Sequence, residues 1–305
     1  MGQAIKPAMT TLASFDLSNN VALVTGGGSG IGKMIATGLA DAGARVYITS
    51  RNTDGRLEET TNEYKGKGQI IPISMDVTDK DSITKVKHEL ERREGKLHIL
   101  VNNAGASGPQ SDFLNQPTPR AQHSASFLGP ALFAAESFEE WSYVYSINTF
   151  SLYFVTVAFL DLLDKGTKDL EARGQLHSAS VINITSISGQ IKLAQRHFGY
   201  NSSKAAASHL TKMLSTEFAV KGIRVRVNAI SPGVYESRMT HDTIAGRAAT
   251  DAVGMGIESI PEGRPGTGEE MAGTAVYLAS SAAGYMNGQE LIIDGGYLAV
   301  NPSRV

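Results

Sequence analysis

The chain has 305 residues, 41% hydrophobic and 19% charged, enough for a sizeable α/β core in one large domain or two smaller ones. A net charge of −2 and a pI near 6.4 leave no basic surface, which argues against nucleic acid as a partner. The chain has no cysteine, which excludes disulfides, thiolate catalysis and cysteine-ligated metal and suits a reducing compartment.

No run is apolar and long enough to span a bilayer. Phe150 to Leu163 comes nearest, but Asp161 and Asp164 close it, so a buried helix is the better reading. The N-terminus lacks the apolar region of a signal peptide, and Lys6 stands where a myristoylation signal wants Ser or Thr. The expectation is a cytoplasmic protein with no membrane partner.

Residues 1–18 read as a loose N-terminal arm. Val21 to Val24 is a short apolar run, the mark of a buried strand. Thr25-Gly26-Gly27-Gly28-Ser29-Gly30-Ile31-Gly32 follows, then Met34, Ile35, Leu39 and Ala42 at helical spacing, stopped by Gly43. Arg45 to Thr49 is the next strand and completes a βαβ unit. Close backbone approach to a pyrophosphate tolerates no Cβ, and the helix beyond offers free N–H groups and a positive dipole end. The spacing Gly26, Gly30, Gly32 is longer than GxGxxG, and a plain tight turn is the alternative.

The end of the second strand bears on the choice of cofactor. An NAD site wants an acid there for the ribose hydroxyls, and a nearby Arg suits the 2′-phosphate of NADP. Thr49-Ser50-Arg51-Asn52 holds no acid before Asp54. The reading is NADP(H), with Arg51 on the phosphate; the alternative is an ordinary exposed loop arginine.

Residues 54–69 read as an exposed helix, and Ile70 to Met75 as a third strand. Asp76-Val77 follows, where a carboxylate suits an adenine amino group or, equally, a helix cap. Ser82 to Arg93 is a charged amphipathic helix, and Leu97 to Val101 a fourth strand in which His98 reads as structural. Asn102-Asn103-Ala104-Gly105 suits a loop packed against a cofactor. Residues 106–137 are irregular and read as part lid, part flexible insertion.

Glu139 to Leu163 reads as one long apolar helix with Asn148 inside it, and 164–178 as a polar loop. Val181 to Ile184 is a strand, broken at Thr185 to Gly189. Tyr200 and Lys204 then stand one helical turn apart, in a helix that runs to Val220 and ends at Gly222. These two, with the hydroxyl of Ser186 at the strand end, are expected to meet around a substrate oxygen. Ile223 to Ile230 is a sixth strand and Pro232-Gly233 turns it. Residues 234–268 lack regularity, Glu269 to Ser280 is a helix, and Gln289 to Ile293 is a last strand. Strands and helices alternate, which predicts a doubly wound parallel sheet of the Rossmann type, a single α/β domain over 19–300.

In order along the chain, Thr25-Gly26-x-x-x-Gly30-Ile31-Gly32, Asn102-Asn103-Ala104-Gly105, Asn148, Ser186, Tyr200-x-x-x-Lys204, Pro232-Gly233 and Asp294-Gly295-Gly296 resemble the short-chain dehydrogenase/reductase family. The resemblance covers residues 20–298. The segments Pro232 to Thr240 and Ala283 to Gly288 look like the group of β-ketoacyl-type reductases that includes the rhamnolipid-pathway reductase. So does the fourteen-position step from Ser186 to Tyr200, one longer than the family usually has.

The resemblance implies a catalytic set of Asn148, Ser186, Tyr200 and Lys204. Tyr200 would protonate a carbonyl oxygen, Ser186 would hold that oxygen, Lys204 and the positive nicotinamide of the oxidised cofactor would lower the phenol, and Lys204 would also grip the nicotinamide ribose. Asn148 would hold its helix open around a proton-relaying water. The cofactor set would be Gly26, Ser29, Gly30, Ile31, Gly32, Arg51, Asp76, Val77, Asn103, Ala104, Gly105, Tyr200, Lys204, Gly233 and Val234, with no metal. His197 and Phe198 stand beside Tyr200 as pocket candidates, and packing is as good a reading.

The expected function is an NADPH-dependent ketoreductase acting on an apolar carbonyl compound of β-ketoacyl or secondary-metabolite type. The competing readings are an NAD-dependent alcohol dehydrogenase of the same fold and a non-catalytic nucleotide sensor. The resemblance further implies a homodimer or homotetramer.

Overall fold

The computed structural model describes residues 11–51, 55–115, 124–235 and 258–301. Seven strands form one parallel sheet in the order β3-β2-β1-β4-β5-β6-β7. They are β1 Val21–Thr25, β2 Arg45–Ser50, β3 Gln69–Ser74, β4 Ile99–Asn102, β5 Ala179–Ile184, β6 Val225–Pro232 and β7 Glu290–Ile293. The central strands β1, β4, β5 and β6 are buried along their whole length, as expected where helices cover both faces of a sheet.

One face carries α1 Gly30–Asp41 and α9 Gly268–Ala279, whose Ile35, Leu39, Met271 and Leu278 pack on Val24, Ile48, Ile182 and Ile230. The other face carries α3 Lys80–Glu94, α6 Ser151–Ala158, α7 Leu160–Ala172 and α8 Phe198–Val220. There Leu90, Phe159, Leu163 and Phe218 pack on Leu23, Leu100, Val181 and Val227. The strand order reverses between β1 and β4, the place where open α/β sheets leave a crevice at the strand ends.

The remaining helices are α2 Arg56–Glu63, α4 Ala125–Ala135, α5 Phe138–Tyr145 and α10 Tyr297–Val300. Three expectations need correction. The long helix expected over Glu139 to Leu163 is interrupted. A π turn, Ser146–Phe150, separates α5 from α6, and Phe159 breaks α6 from α7. The π turn follows from α8, because Thr149 Oγ1 donates to the Ser203 carbonyl and Asn148 Nδ2 to the Ser203 hydroxyl.

The polar loop expected at 164–178 is helical as far as Ala172. Leu162, Leu163, Gly166, Thr167 and Leu170 form its buried stripe, and exposed lysines and acids mask that period in the sequence. The irregular insertion holds a 3-10 turn, Asp112–Asn115, and α4, which is apolar on every side and so shows no helical period. The arm contributes a 3-10 turn, Thr11–Phe15, and a fully buried Leu17. Residues 1–10, 116–123 and 236–257, with the expected substrate-loop residues Met239 and Met255, lie outside the described residues, as does Asp54. No single described helix is long and apolar enough to cross a membrane.

Candidate active site

A cleft of about 1020 Å³ runs along the carboxyl ends of the strands. Its glycine-rich wall follows β1. Gly26 has φ +65° and Gly30 φ +49°, conformations that L side chains rarely adopt. Asn103 braces this turn, its Nδ2 donating to the carbonyls of Thr25 and Gly26 at 2.9 and 3.2 Å. Thr25 Oγ1 in turn accepts from the N–H groups of Asn103 and Ala104. Asn103 therefore shapes the cradle with its side chain while its loop lines the cleft.

The residues present fit a dinucleotide. Ser29 ends the turn in extended conformation, but its hydroxyl makes no cap bond to α1. The first turn of α1, Gly30 to Gly32, faces the cleft and carries no acid, so its N–H groups and dipole are open to an anion. Thr49 Oγ1, buried in the cleft wall, has no protein partner. At the far end lie Arg51 and Asp76. Burial raises the Asp76 carboxyl, and the hydrogen bonds from Thr78 with the Arg51 charge bring it out below its ordinary value. Asp76 Oδ1 accepts the Thr78 N–H and hydroxyl at 2.8 and 2.6 Å, so the capping role is real. Asp76 and Val77 still line the cleft.

The reactive end gathers Ser186, Tyr200 and Lys204. Ser186 sits two residues beyond β5 and is nearly buried. Tyr200 and Lys204 occupy successive turns of α8 and line the same cleft. The Ser186 hydroxyl stands close enough to the Tyr200 phenol to favour its ionised form. Lys204 Nζ donates to the Ile184 carbonyl at 2.8 Å and lies 5.8 Å from the centre of the Tyr200 ring. Burial lowers the Lys204 ammonium to about 8. Burial pushes the Tyr200 phenol up, with the neighbouring Ser186 hydroxyl opposing; the expected lowering included a positive nicotinamide beside the ring.

Asn148 is 2% exposed and stands behind the cleft wall. Its Oδ1 accepts from Ala106 N–H, and its Nδ2 donates to Ala106 O and to Ser203 Oγ. The amide thus ties the loop after β4 to α8 and sits in the π turn that opens the helix. Gly105 and Gly233 line the cleft, whereas Val234 lines a neighbouring pocket of about 380 Å³. His197 packs edge-on at 6.3 Å from the Tyr200 ring, and neither it nor Phe198 lines the cleft.

The sequence reading passed over several lining residues. Arg56, at the start of α2, joins Arg51 at the adenine end. Ser107 to Pro109, Glu139, Glu140, Tyr143 and Ile147 line the opposite end. The signal for Arg56 was present, a second basic residue just past the β2 turn. No spacing pointed to α5, although it ends three residues before Asn148.

Residues 26–298 match the family profile described as Enoyl-(Acyl carrier protein) reductase. The short-chain dehydrogenase/reductase PhomF' of Diaporthe leptostromiformis is 33% identical over 99% of both chains. The chain belongs to the short-chain dehydrogenase/reductase family of oxidoreductases. The rhamnolipids biosynthesis 3-oxoacyl-[acyl-carrier-protein] reductase of Pseudomonas aeruginosa is 34% identical over 93% of this chain and 98% of its own. The solved Pseudomonas aeruginosa RhlG/NADP active-site complex superposes with a TM-score of 0.75, at 33% identity, over 93% of this chain and 98% of that one.

Proposed function

We propose that this family member is an NADPH-dependent ketoreductase for an apolar carbonyl compound of β-ketoacyl or secondary-metabolite type. The observation that carries the reading is the meeting of Ser186, Tyr200 and Lys204 on one cleft that also holds the glycine-rich turn. NADP(H) is supported by Arg51 and Arg56 at the adenine end and by the absence of an acid at the end of β2. The bound nicotinamide supplies the hydride.

The chain's own residues do the rest. Tyr200 donates its phenolic proton to the carbonyl oxygen. Ser186 holds that oxygen and stabilises the charge that develops on it. The Lys204 ammonium lies close enough to favour the phenolate left behind. The Asn148 amide keeps the cleft wall and α8 in register.

The proposal takes 19–300 as one catalytic domain, a cytoplasmic location, and a homodimer or homotetramer. Exposed Phe150, Tyr153, Phe154 and Val157 along α6 and the preceding π turn support self-association. A spectrophotometric screen of ketones, β-ketoacyl thioesters and polycyclic quinones tests the reading with NADPH and NADH side by side. Oxidation of NADPH in preference to NADH by an apolar carbonyl is expected. Preference for NADH, or for short hydrophilic carbonyls, overturns the assignment.

A further inference from the structure

The bridge between Ser186 and Tyr200 contains the least relaxed backbone of the described residues. Gln195 and Arg196 have φ +50° and +68°, and Asn19 is the only other described non-glycine with positive φ. His197 N–H closes the turn on the Ala194 carbonyl at 2.9 Å. Such a mirror-image turn suits Asn and Gly, not Gln and Arg, so the surroundings must impose it.

The surroundings can be named. Gln195 Nε2 donates to the Tyr297 hydroxyl at 3.0 Å. Arg196 pairs with Asp112 at 2.8 Å, and its carbonyl accepts the Ser111 N–H at 2.9 Å. Ser111 is 1% exposed, and its hydroxyl donates to Glu136 Oε1 at 2.7 Å. The other oxygen, Oε2, accepts the Trp141 indole N–H at 2.6 Å. The Trp141 ring lies against Gly199, where an added Cβ would touch it at 3.6 Å. Gly199 is the neighbour of Tyr200.

These contacts close a ring from Arg196 through Ser111, Glu136 and Trp141 back to the start of α8. Ser111 follows the Ser107 to Pro109 stretch of the cleft wall by two residues, and Tyr200 lines the same cleft. We infer that Glu136 is a positioning residue whose carboxylate, held between Ser111 and Trp141, fixes the gap between the 107–109 wall and the Tyr200 phenol. Glu136 does not line the cleft itself. The inference rests on the ketoreductase reading for its kinetic consequence and on geometry alone for the ring.

Two measurements test it. In Glu136→Gln one of the two donors faces an amide NH2, and in Ser111→Ala one donor is gone. Since a hydrogen bond to a charged group is worth an order of magnitude, each variant is expected to lower kcat for ketone reduction about tenfold. The Kd for NADPH is expected to stay at the wild-type value. A wild-type kcat in both variants overturns the inference. So does a fall in kcat matched by equal weakening of NADPH binding, which marks general loosening.

Trp141 is the single tryptophan, so its fluorescence reads the ring without any substrate. Arg196→Ala keeps a Cβ in the left-handed turn and removes the Asp112 pair that helps to impose it, at a residue whose side chain is bonded to neither Glu136 nor Trp141. It is expected to red-shift Trp141 emission and to increase acrylamide quenching. If the wild-type protein reduces no ketone, the ketoreductase reading fails, and the ring stands or falls on this arm. Unchanged emission and quenching in Arg196→Ala overturn it.

Discussion

Lys204 Nζ donates to the carbonyl oxygen of Ile184, the last residue of β5, at 2.8 Å. That bond fixes the buried ammonium beside the strand end that leads to Ser186, with the Tyr200 ring 5.8 Å away. A helix residue and a strand residue twenty positions apart in sequence thus set the geometry of the reactive end.

The pH dependence follows. Burial brings the Lys204 ammonium down to about 8 and pushes the Tyr200 phenol up. Below about pH 8 Lys204 is charged and Tyr200 holds its proton, the state that reduction needs. The kcat/KM for ketone reduction is expected to be level near neutrality and to fall as pH rises through about 8. A profile level to about pH 10 contradicts this assignment of the limb.

Cofactor choice is tested at Arg51. Removing a charge-assisted contact to phosphate costs roughly tenfold or more in binding, so Arg51→Asp should raise the KM for NADPH by at least that factor. The KM for NADH should change far less. Equal changes for both cofactors would show that Arg51 does not read the 2′-phosphate.

The glycine-rich turn makes a structural prediction. A Cβ at Gly32 would overlap the Gly26 carbonyl oxygen and the Asn103 amide. Gly32→Ala is expected to destabilise by more than about 3 kcal/mol and to lose NADPH binding. Gly55 has φ +71° but, among the described residues, nothing within 4 Å of an added Cβ, so Gly55→Ala should cost only about 1 kcal/mol. Denaturant midpoints decide it, and equal midpoints for the two variants would contradict the packing argument.

The sheet was legible in the sequence because its strands are buried on both faces and read as continuous apolar runs. The grouping of Ser186, Tyr200 and Lys204 on one cleft was legible because the three lie close along the chain. The opening of the helix at Asn148 came only through the family resemblance, since the π turn depends on Ser203, fifty-five positions away. The helix at 160–172 hid behind its exposed charges, and α4 behind its lack of any polar face. The bridge to Tyr200 could not be read either. Its left-handed turn is held by Asp112 and Tyr297, which no local pattern connects to it.

Acid stability depends on two histidines outside the cleft. His98 accepts the Val21 N–H at Nδ1 and faces Asp169 at Nε2, which assigns the neutral ring with its proton on Nε2. Burial first, and nearby arginines second, bring His98 and His177 each down to about 4 from an ordinary 6.5. Each stays neutral when folded and takes a proton when unfolded, so its stabilisation is complete above about 6.5 and lost as pH falls toward about 4. The loss is at most about 3 kcal/mol per ring. Urea unfolding at successive pH values should show stability falling across that window. A level profile there would contradict it.

The central claim is that Tyr200 delivers the proton. Tyr200→Phe keeps the ring and its packing and removes only the hydroxyl. The decisive measurement is single-turnover ketone reduction by this variant, alongside its Kd for NADPH. Proton transfer by a placed side chain contributes a factor of about a hundred or more, so the reduction rate should fall at least that far with NADPH binding unchanged. A variant that binds NADPH normally and keeps more than about a tenth of the wild-type rate would contradict the account.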